Sequence, residues 1–196
     1  GSVIDSSKAI AYGVPYEGDV WDFYVGKAEA ETCLPVATVL TIPAAGSEMS
    51  EASVITNEDG DIKLGYSNNI SRPKFAIMNP ERTFTLPAYQ TAAGVTDIML
   101  HTMERYFNPD CDMTVTDAIA EALMRTMMDS VFAVLENPED YRNRAQIMWA
   151  GSLAHNDVTG NRLNGDWATH QIEHELSAMF DVTHGAGLAV VWPSWA

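Results

Sequence analysis

Cysteine is almost missing from this chain. Cys33 and Cys111 are the only two in 196 residues, far apart and without a C-x-x-C spacing, which reads as two reduced thiols of a cytoplasmic protein. Basic residues are scarce as well. Eleven Lys and Arg stand against 27 Asp and Glu, a formal net charge of −16. A phosphate-binding surface needs clustered Lys and Arg, so nucleic acid is excluded as a partner, and so is an anionic membrane surface. Signal peptide, lipidation motif and any apolar run of transmembrane length are absent, as are repeats, low-complexity tracts and flexible linkers. What is present is ordinary globular material. Apolar residues make up 46% and charged residues 19%, which rules out a disordered chain, and the length suffices for one large or two small domains with a real core.

The two ends read as interruptions. "GSVIDSSKAIAYG" opens on a strand-end-to-helix pattern with no strand before it, and "HGAGLAVVWPSWA" stops inside an apolar run. The expectation is an internal fragment of a longer protein. Up to about residue 84 strands mix with short helices. "SSKAIAYG" predicts a helix capped by Ser6 or Asp5 and closed by Gly13. "PVATVLTIP" predicts a buried strand, "EASVITNEDGDIKLGYS" a hairpin turning at Asp59-Gly60, and "KFAIMNP" a further short strand. From there on the spacing is helical. "PAYQTAAGVTDIMLHTMERYF" is followed by a long amphipathic helix capped by Thr114 or Thr116 and ended near Asn137-Pro138. A third helix starts at Pro138, a fourth runs through "THQIEHELSAMF", and a fifth begins at "HGAGLAVVW".

Three of the five histidines, His170, His174 and His184, fall within fifteen residues of these apolar helices. A buried imidazole must be hydrogen-bonded or ligated to avoid a desolvation cost. Asp97 and His101 are four apart, as are His170 and His174, and four residues stack side chains on one helix face. "FDVT" breaks the helix before His184. One carboxylate with two or three imidazoles from separate helices can close around a divalent cation, and His/Asp donors with an open position suit iron(II) or zinc. Taken singly, each pair reads as readily as a surface pair or a capped core histidine. A second clue is Gly1-Ser2 leading through Asp5 into a helix, the way a phosphate is held on exposed N–H groups; a plain turn and cap has the same sequence. The methionines at helical spacing (Met99, Met103, Met124, Met127, Met128, Met148) read as core filler. Trp167 and Trp149 are either pocket lining or packing aromatics, and His155 has no evident partner.

"GSVIDSSKAIA", "LTIPAAGSEMSEASVIT", "MNPERTFTLPAYQTAAGVTDIMLHTMERY" and "DWATHQIEHELSAMFDVTHGAGLAVVWP" occur in an order and spacing that resembles the iron-containing (group III) alcohol dehydrogenases, above all their butanol dehydrogenase and broad-range aldehyde reductase branch. The resemblance runs along essentially the whole chain. It implies an incomplete α/β nucleotide-binding part over residues 1–84, followed by an incomplete all-α metal-binding domain over residues 85–196, in a dehydroquinate synthase-like architecture. It also implies metal ligands at Asp97, His101, His170 and His184, and a nearby non-ligand histidine, His174, that helps with substrate protons. Gly1, Ser2 and Asp5 match the end of the family's Gly-Gly-Gly-Ser-x-x-Asp cofactor loop. Thr41 and Ser47 fall in a second cofactor loop, and Lys63 matches a lysine that reaches the nicotinamide nucleotide. The second loop departs from the family's Thr-Gly-Ser-Glu in having Ala45 for the threonine, which removes one side-chain contact.

The activity so implied is hydride transfer between NAD or NADP and a short-chain primary alcohol or aldehyde such as butanol or butyraldehyde. It would use Fe2+ or Zn2+, in a cytoplasmic homodimer or larger homo-oligomer. Two other classes remain in competition. One is a metal-dependent hydrolase or lyase on a related helical site, although the adjacent His-Asp pair usual in such phosphohydrolases is missing. The other is a metal-binding fragment without activity of its own.

Overall fold

The computed structural model describes residues 1–107, 113–160 and 165–196. Cys33 is unpaired there, and Cys111 lies outside the described residues.

Helix α1 (Ser2–Gly13) begins directly after Gly1 and has no side-chain cap. The expected capping residues therefore sit inside it. Asp5 has a stronger use for its carboxylate: Oδ2 accepts the Val54 N–H at 3.1 Å and Oδ1 accepts the Ser47 hydroxyl. A single turn, α2 (Trp21–Tyr24), follows. Strand β1 (Thr38–Leu40) pairs in parallel with β4 (Ala76–Met78), Thr38 opposite Ala76 and Leu40 opposite Met78. The burial expected for β1 holds on one face only. Thr38 and Leu40 are buried but Val39 is 61% exposed, because among the described residues the strand has a single neighbour and no layer over its second face.

The hairpin is as the sequence suggests, with β2 (Ala52–Asn57) antiparallel to β3 (Ile62–Ser67) and Ala52 opposite Ser67. Its turn runs through Gly60 and Asp61, both at positive φ. Around it Tyr12, Phe23, Tyr24 and Tyr66 pack edge-on and stacked. Two single-turn 3-10 helices, Asn69–Ser71 and Pro80–Thr83, each start on an asparagine whose side-chain oxygen accepts the N–H two residues on.

Among the described residues five helices follow: α3 (Ala88–Tyr106), α4 (Thr114–Glu136), α5 (Tyr141–Ala154), α6 (Ala168–Phe180) and α7 (His184–Trp195). Two starts differ from expectation. Thr114 is the first residue of α4, after Met113, and no side chain caps that end. Helix α5 starts three residues past Pro138, because Asp140 is the true cap and accepts the Asn143 N–H at 3.0 Å. A residue before proline resists helical geometry, but an Asx cap fixes the first turn directly. Asp181, in the left-handed region at φ 52°, ends α6 and turns the chain into α7.

Helix α3 is buried on two sides, and this positions the site. Val95 and Ile98 join Leu123, Met127, Val134, Ile147, Ala150 and Ala154 in the core shared with α4 and α5. Gly94, Asp97, His101 and Glu104 face away from that core and are buried as well. Met127 belongs to that core with Met99 packed against it, and Met148 is buried, whereas Met128 is 46% exposed on α4.

Among the described residues no helix is long and apolar enough to cross a membrane.

Candidate metal centre

Asp97 Oδ1, His170 Nε2 and His184 Nε2 converge from α3, α6 and α7. Both imidazole nitrogens approach the same carboxylate oxygen, at 3.6 and 3.7 Å. These separations are too long for hydrogen bonds but close to the ~3.3 Å edge of a tetrahedron with donor bonds near 2.0–2.1 Å. Asp97 and His170 are 2% and 5% exposed, and Asp97 Oδ1 and His170 Nε2 have no hydrogen-bond partner. Buried polar atoms left unpaired are costly and rare. A divalent cation between them satisfies both, so the donor set fits one.

His101, the fourth ligand implied by the resemblance, is next to this set but not within it. Its Nδ1 lies 2.9 Å from both the backbone carbonyl oxygen and Oδ1 of Asp97. The directed hydrogen bond goes to the carbonyl, and a carbonyl can only accept, so Nδ1 carries the proton and Nε2 is bare. The His101 ring packs 4.3 Å from that of His170.

Glu173, His174 and His184 form a second close group. There, however, Glu173 and His184 are in direct hydrogen-bond contact. Two atoms that close cannot be neighbouring donors on one ion, so this group is a hydrogen-bonded pair with His174 alongside. The His174 ring is 5.7 Å from that of His184.

The electrostatics follow from burial opposed by pairing. Burial would raise the Asp97 carboxyl, yet the His101 and His184 imidazoles hold it well below the usual range. Burial would lower His170, but the Asp97 and Glu104 carboxylates, one facing each ring nitrogen, oppose it and raise the imidazole above its usual range in the absence of a cation. His174 has no such partner. Burial, then the Lys63 ammonium, push it down to about 3, so this ring is neutral at pH 7 and does not titrate near neutrality.

The centre forms one wall of a cavity of about 1050 Å3. The opposite wall comes from the strand-containing part, where Gly1, Ser2, Asp5, Ser47 and Lys63 all line the space. Thr41 does not; it is exposed in the bend after β1. Asp5 and Ser47 are bonded to each other, and Lys8 Nζ, fully buried, donates to Ser47 Oγ, Ser50 O and Ala52 O at 3.1, 2.9 and 2.7 Å. These groups clamp α1 to the loop at 44–52. Gly46 is a requirement of that loop: it has φ +59°, and a Cβ there would come 2.5 Å from the Gly151 carbonyl oxygen.

Burial lowers Lys8 to about 8, with Asp5 and Glu48 opposing. Between that value and the unfolded value of 10.5 the unfolded chain binds more protons, so this residue's contribution to stability rises with pH in that window. The wild-type stability relative to Lys8→Met should improve from pH 8 to 10.5 by on the order of 3 kcal/mol. Urea titrations across the range will read it, and a pH-independent difference would contradict the assignment.

Four residues of the centre carry no signal that the sequence reading used. Glu104 Oε2 bonds His170 Nδ1, and Glu173 Oε2 bonds His184 Nδ1. Arg105 donates to His155 Nδ1 at 3.0 Å and lies 4.5 Å from the Trp167 ring centroid. His155 thus has a partner after all. Its ring meets His101 edge-on at 4.3 Å, and Trp167 packs against His101, His155 and His170. Trp167 therefore lines the cavity, whereas Trp149 is 51% exposed. A helical wheel held the missed signal: Asp97, His101 and Glu104 are i, i+4 and i+7, and Glu173 is i+3 from His170.

Comparison with known proteins places the chain in a class. The model of the iron-containing alcohol dehydrogenases matches residues 1–80, and that of the C-terminal region of the Fe-containing alcohol dehydrogenase family matches residues 91–196. The chain belongs to the iron-containing alcohol dehydrogenase family. NADH-dependent butanol dehydrogenase A of Clostridium acetobutylicum is 46% identical over 195 residues, covering all of this chain and 50% of that protein. The NADPH-dependent aldehyde reductase YqhD of Escherichia coli is 36% identical, covering 99% of this chain and 51% of its own. Among solved structures, NADH-dependent butanol dehydrogenase A from Thermotoga maritima superposes with a TM-score of 0.97 at 45% identity, covering 100% of this chain and 49% of that one. The chain spans about half the length of the curated relatives it matches. An iron-containing alcohol dehydrogenase from Thermotoga maritima shares the fold, with a TM-score of 0.83 at 23% identity.

Proposed function

We propose that the whole protein is a metal-dependent alcohol dehydrogenase and aldehyde reductase. It would transfer hydride between NAD or NADP and a short-chain primary alcohol or aldehyde such as butanol or butyraldehyde. The observation that carries this is the orphaned pair Asp97 Oδ1 and His170 Nε2, with His184 Nε2 beside them, facing the α1 start across one cavity. The relatives named as butanol dehydrogenases and an aldehyde reductase support it.

Asp97, His101, His170 and His184 would hold the cation, Fe2+ in keeping with the family and Zn2+ as the alternative. A cation there supplies Lewis acidity toward a substrate oxygen, while the nicotinamide supplies the hydride chemistry. Gly1 and Ser2, at the N-terminus of α1, present backbone N–H groups to a phosphate. Ser47 and Asp5 fix that loop, Thr41 belongs to the second cofactor loop, and Lys63 reaches the nucleotide from β3. Trp167 closes one side of the cavity and excludes water from it.

His174, neutral at pH 7 and in the cavity wall, would accept a proton at one ring nitrogen while releasing one from the other. His174→Ala should lower turnover by about 100-fold, read by steady-state kinetics of the full-length protein. Unchanged turnover would remove the residue from the proton path.

Residues 1–84 then represent the end of a dinucleotide-binding domain and residues 85–196 the start of a helical metal-binding domain, in a dehydroquinate synthase-like arrangement. The order of the elements supports this, since among the described residues every strand precedes residue 84 and every long helix after α1 follows it. A homodimer or larger assembly is the form we expect. The test is direct. Full-length protein with Fe(II) or Zn(II), NADH or NADPH and butyraldehyde should lose absorbance at the reduced-nicotinamide band. Inertness toward the aldehyde, with phosphate released from a model ester, would select the hydrolase instead.

A further inference from the structure

All three imidazoles around Asp97 have Nδ1 engaged. His101 gives its proton to the Asp97 carbonyl, while His170 and His184 give theirs to Glu104 and Glu173. A ring that donates from Nδ1 to a carboxylate is left with a bare Nε2, the tautomer a cation needs. For His170 and His184 that Nε2 is the atom aimed at Asp97.

The two glutamates are built into the fold. They are 1% and 0% exposed, among the most buried side chains of the chain. Each is held through its second oxygen: Glu104 Oε1 accepts the Thr169 N–H at 2.9 Å, and Glu173 Oε1 accepts the Ser177 hydroxyl. Room for Glu173 depends on Gly187 in α7, where a Cβ would stand 2.8 Å from Glu173 Cγ and 2.9 Å from Oε1. Lys63 Nζ, from strand β3, lies 3.7 Å from Glu173 Oε2. Hence the carboxylate that orients His184 also faces the lysine from the opposite wall.

We propose that Glu104 and Glu173 are positioning residues of the centre. They lock His170 and His184 in the Nε2-presenting tautomer, fix the plane of each ring and raise its basicity as a donor, and Glu173 links that donor to Lys63. The proposal rests on the metal reading above. Partners of this kind, one bond removed from a metal, typically govern affinity by 10–100-fold.

The experiment measures Zn(II) dissociation constants and Co(II) absorption spectra of the full-length protein and its Glu104→Gln and Glu173→Gln variants. Glutamine keeps the shape and one acceptor oxygen but removes the charge. The expected result is a 10–100-fold weaker Zn(II) constant in each variant, a shifted Co(II) d–d band at saturation, and a metal-free melting temperature close to wild type. Ser177→Ala leaves both glutamates in place and frees only one oxygen of Glu173; it should weaken Zn(II) by about threefold, and it carries the test if a glutamine variant does not fold. Wild-type Zn(II) affinity and an unshifted Co(II) band in the variants would overturn the positioning role alone. A wild-type protein that binds no divalent cation would overturn the metal reading and this proposal with it.

Discussion

Asp97→Asn is expected to weaken divalent-cation binding by at least about 100-fold and to abolish butyraldehyde reduction by the full-length protein. Removing a residue one bond away from a metal typically costs 10–100-fold, and Asp97 stands closer than that. It is the only carboxylate in the Asp97–His170–His184 set, and both imidazole nitrogens face the same oxygen. Asparagine keeps the volume and the helix but takes away the charge that offsets a buried cation. Its carbonyl is a poorer donor, and its amide adds an unpaired N–H where Oδ1 already lacks a partner. Titration calorimetry with Zn(II), alongside the aldehyde assay, measures both effects. Wild-type affinity in this variant would place the cation elsewhere.

Gly185→Ala should have the largest effect on folding. Gly185 is the second residue of α7, and a Cβ there would fall far inside van der Waals contact with the Ala93 carbonyl oxygen in α3. The obstacle is backbone of a buried helix, so no side-chain rotation relieves it. Overpacking of this kind costs typically 1–3 kcal/mol and more when neither element can yield, and we expect at least about 3 kcal/mol in urea unfolding. If α7 instead moves outward, it carries His184 away from Asp97, and cation affinity falls by tenfold or more in a protein that still folds. A variant with wild-type stability and affinity would contradict the close α3–α7 contact. The adjoining residue should respond differently, since His184→Ala removes a donor but leaves the helix contact intact.

Much of this arrangement can be traced in the amino-acid sequence, for identifiable reasons. The i, i+4 spacing of Asp97 and His101 and the apolar run around His170 mark helices that must bury polar groups. The break at "FDVT" is real, with Asp181 in the left-handed region where it closes α6. The hairpin turn at Gly60 is just as direct, because positive φ favours glycine. Less legible were features set by tertiary competition. Asp5 forgoes a helix cap because Ser47 and the Val54 N–H, more than forty residues away, take its carboxylate. The spacing of His174 carries no sign of its burial beside Lys63, which lowers it to about 3. Glu104 and Glu173 are not singled out until the folds of α6 and α7 bring histidine nitrogens onto them. Acidic residues are so abundant in this chain that two buried ones do not stand out by composition.

The metal centre requires one ion held among side chains from α3, α6 and α7. Crystals of full-length protein grown with Fe(II) or Zn(II), measured across the metal's absorption edge, answer this directly. The expected result is a single anomalous peak about 2.0–2.2 Å from an Asp97 oxygen and from Nε2 of His170 and His184, with His101 completing the set. A cation-saturated crystal with no peak there, or with its peak beside Glu173 and His174 instead, would contradict it.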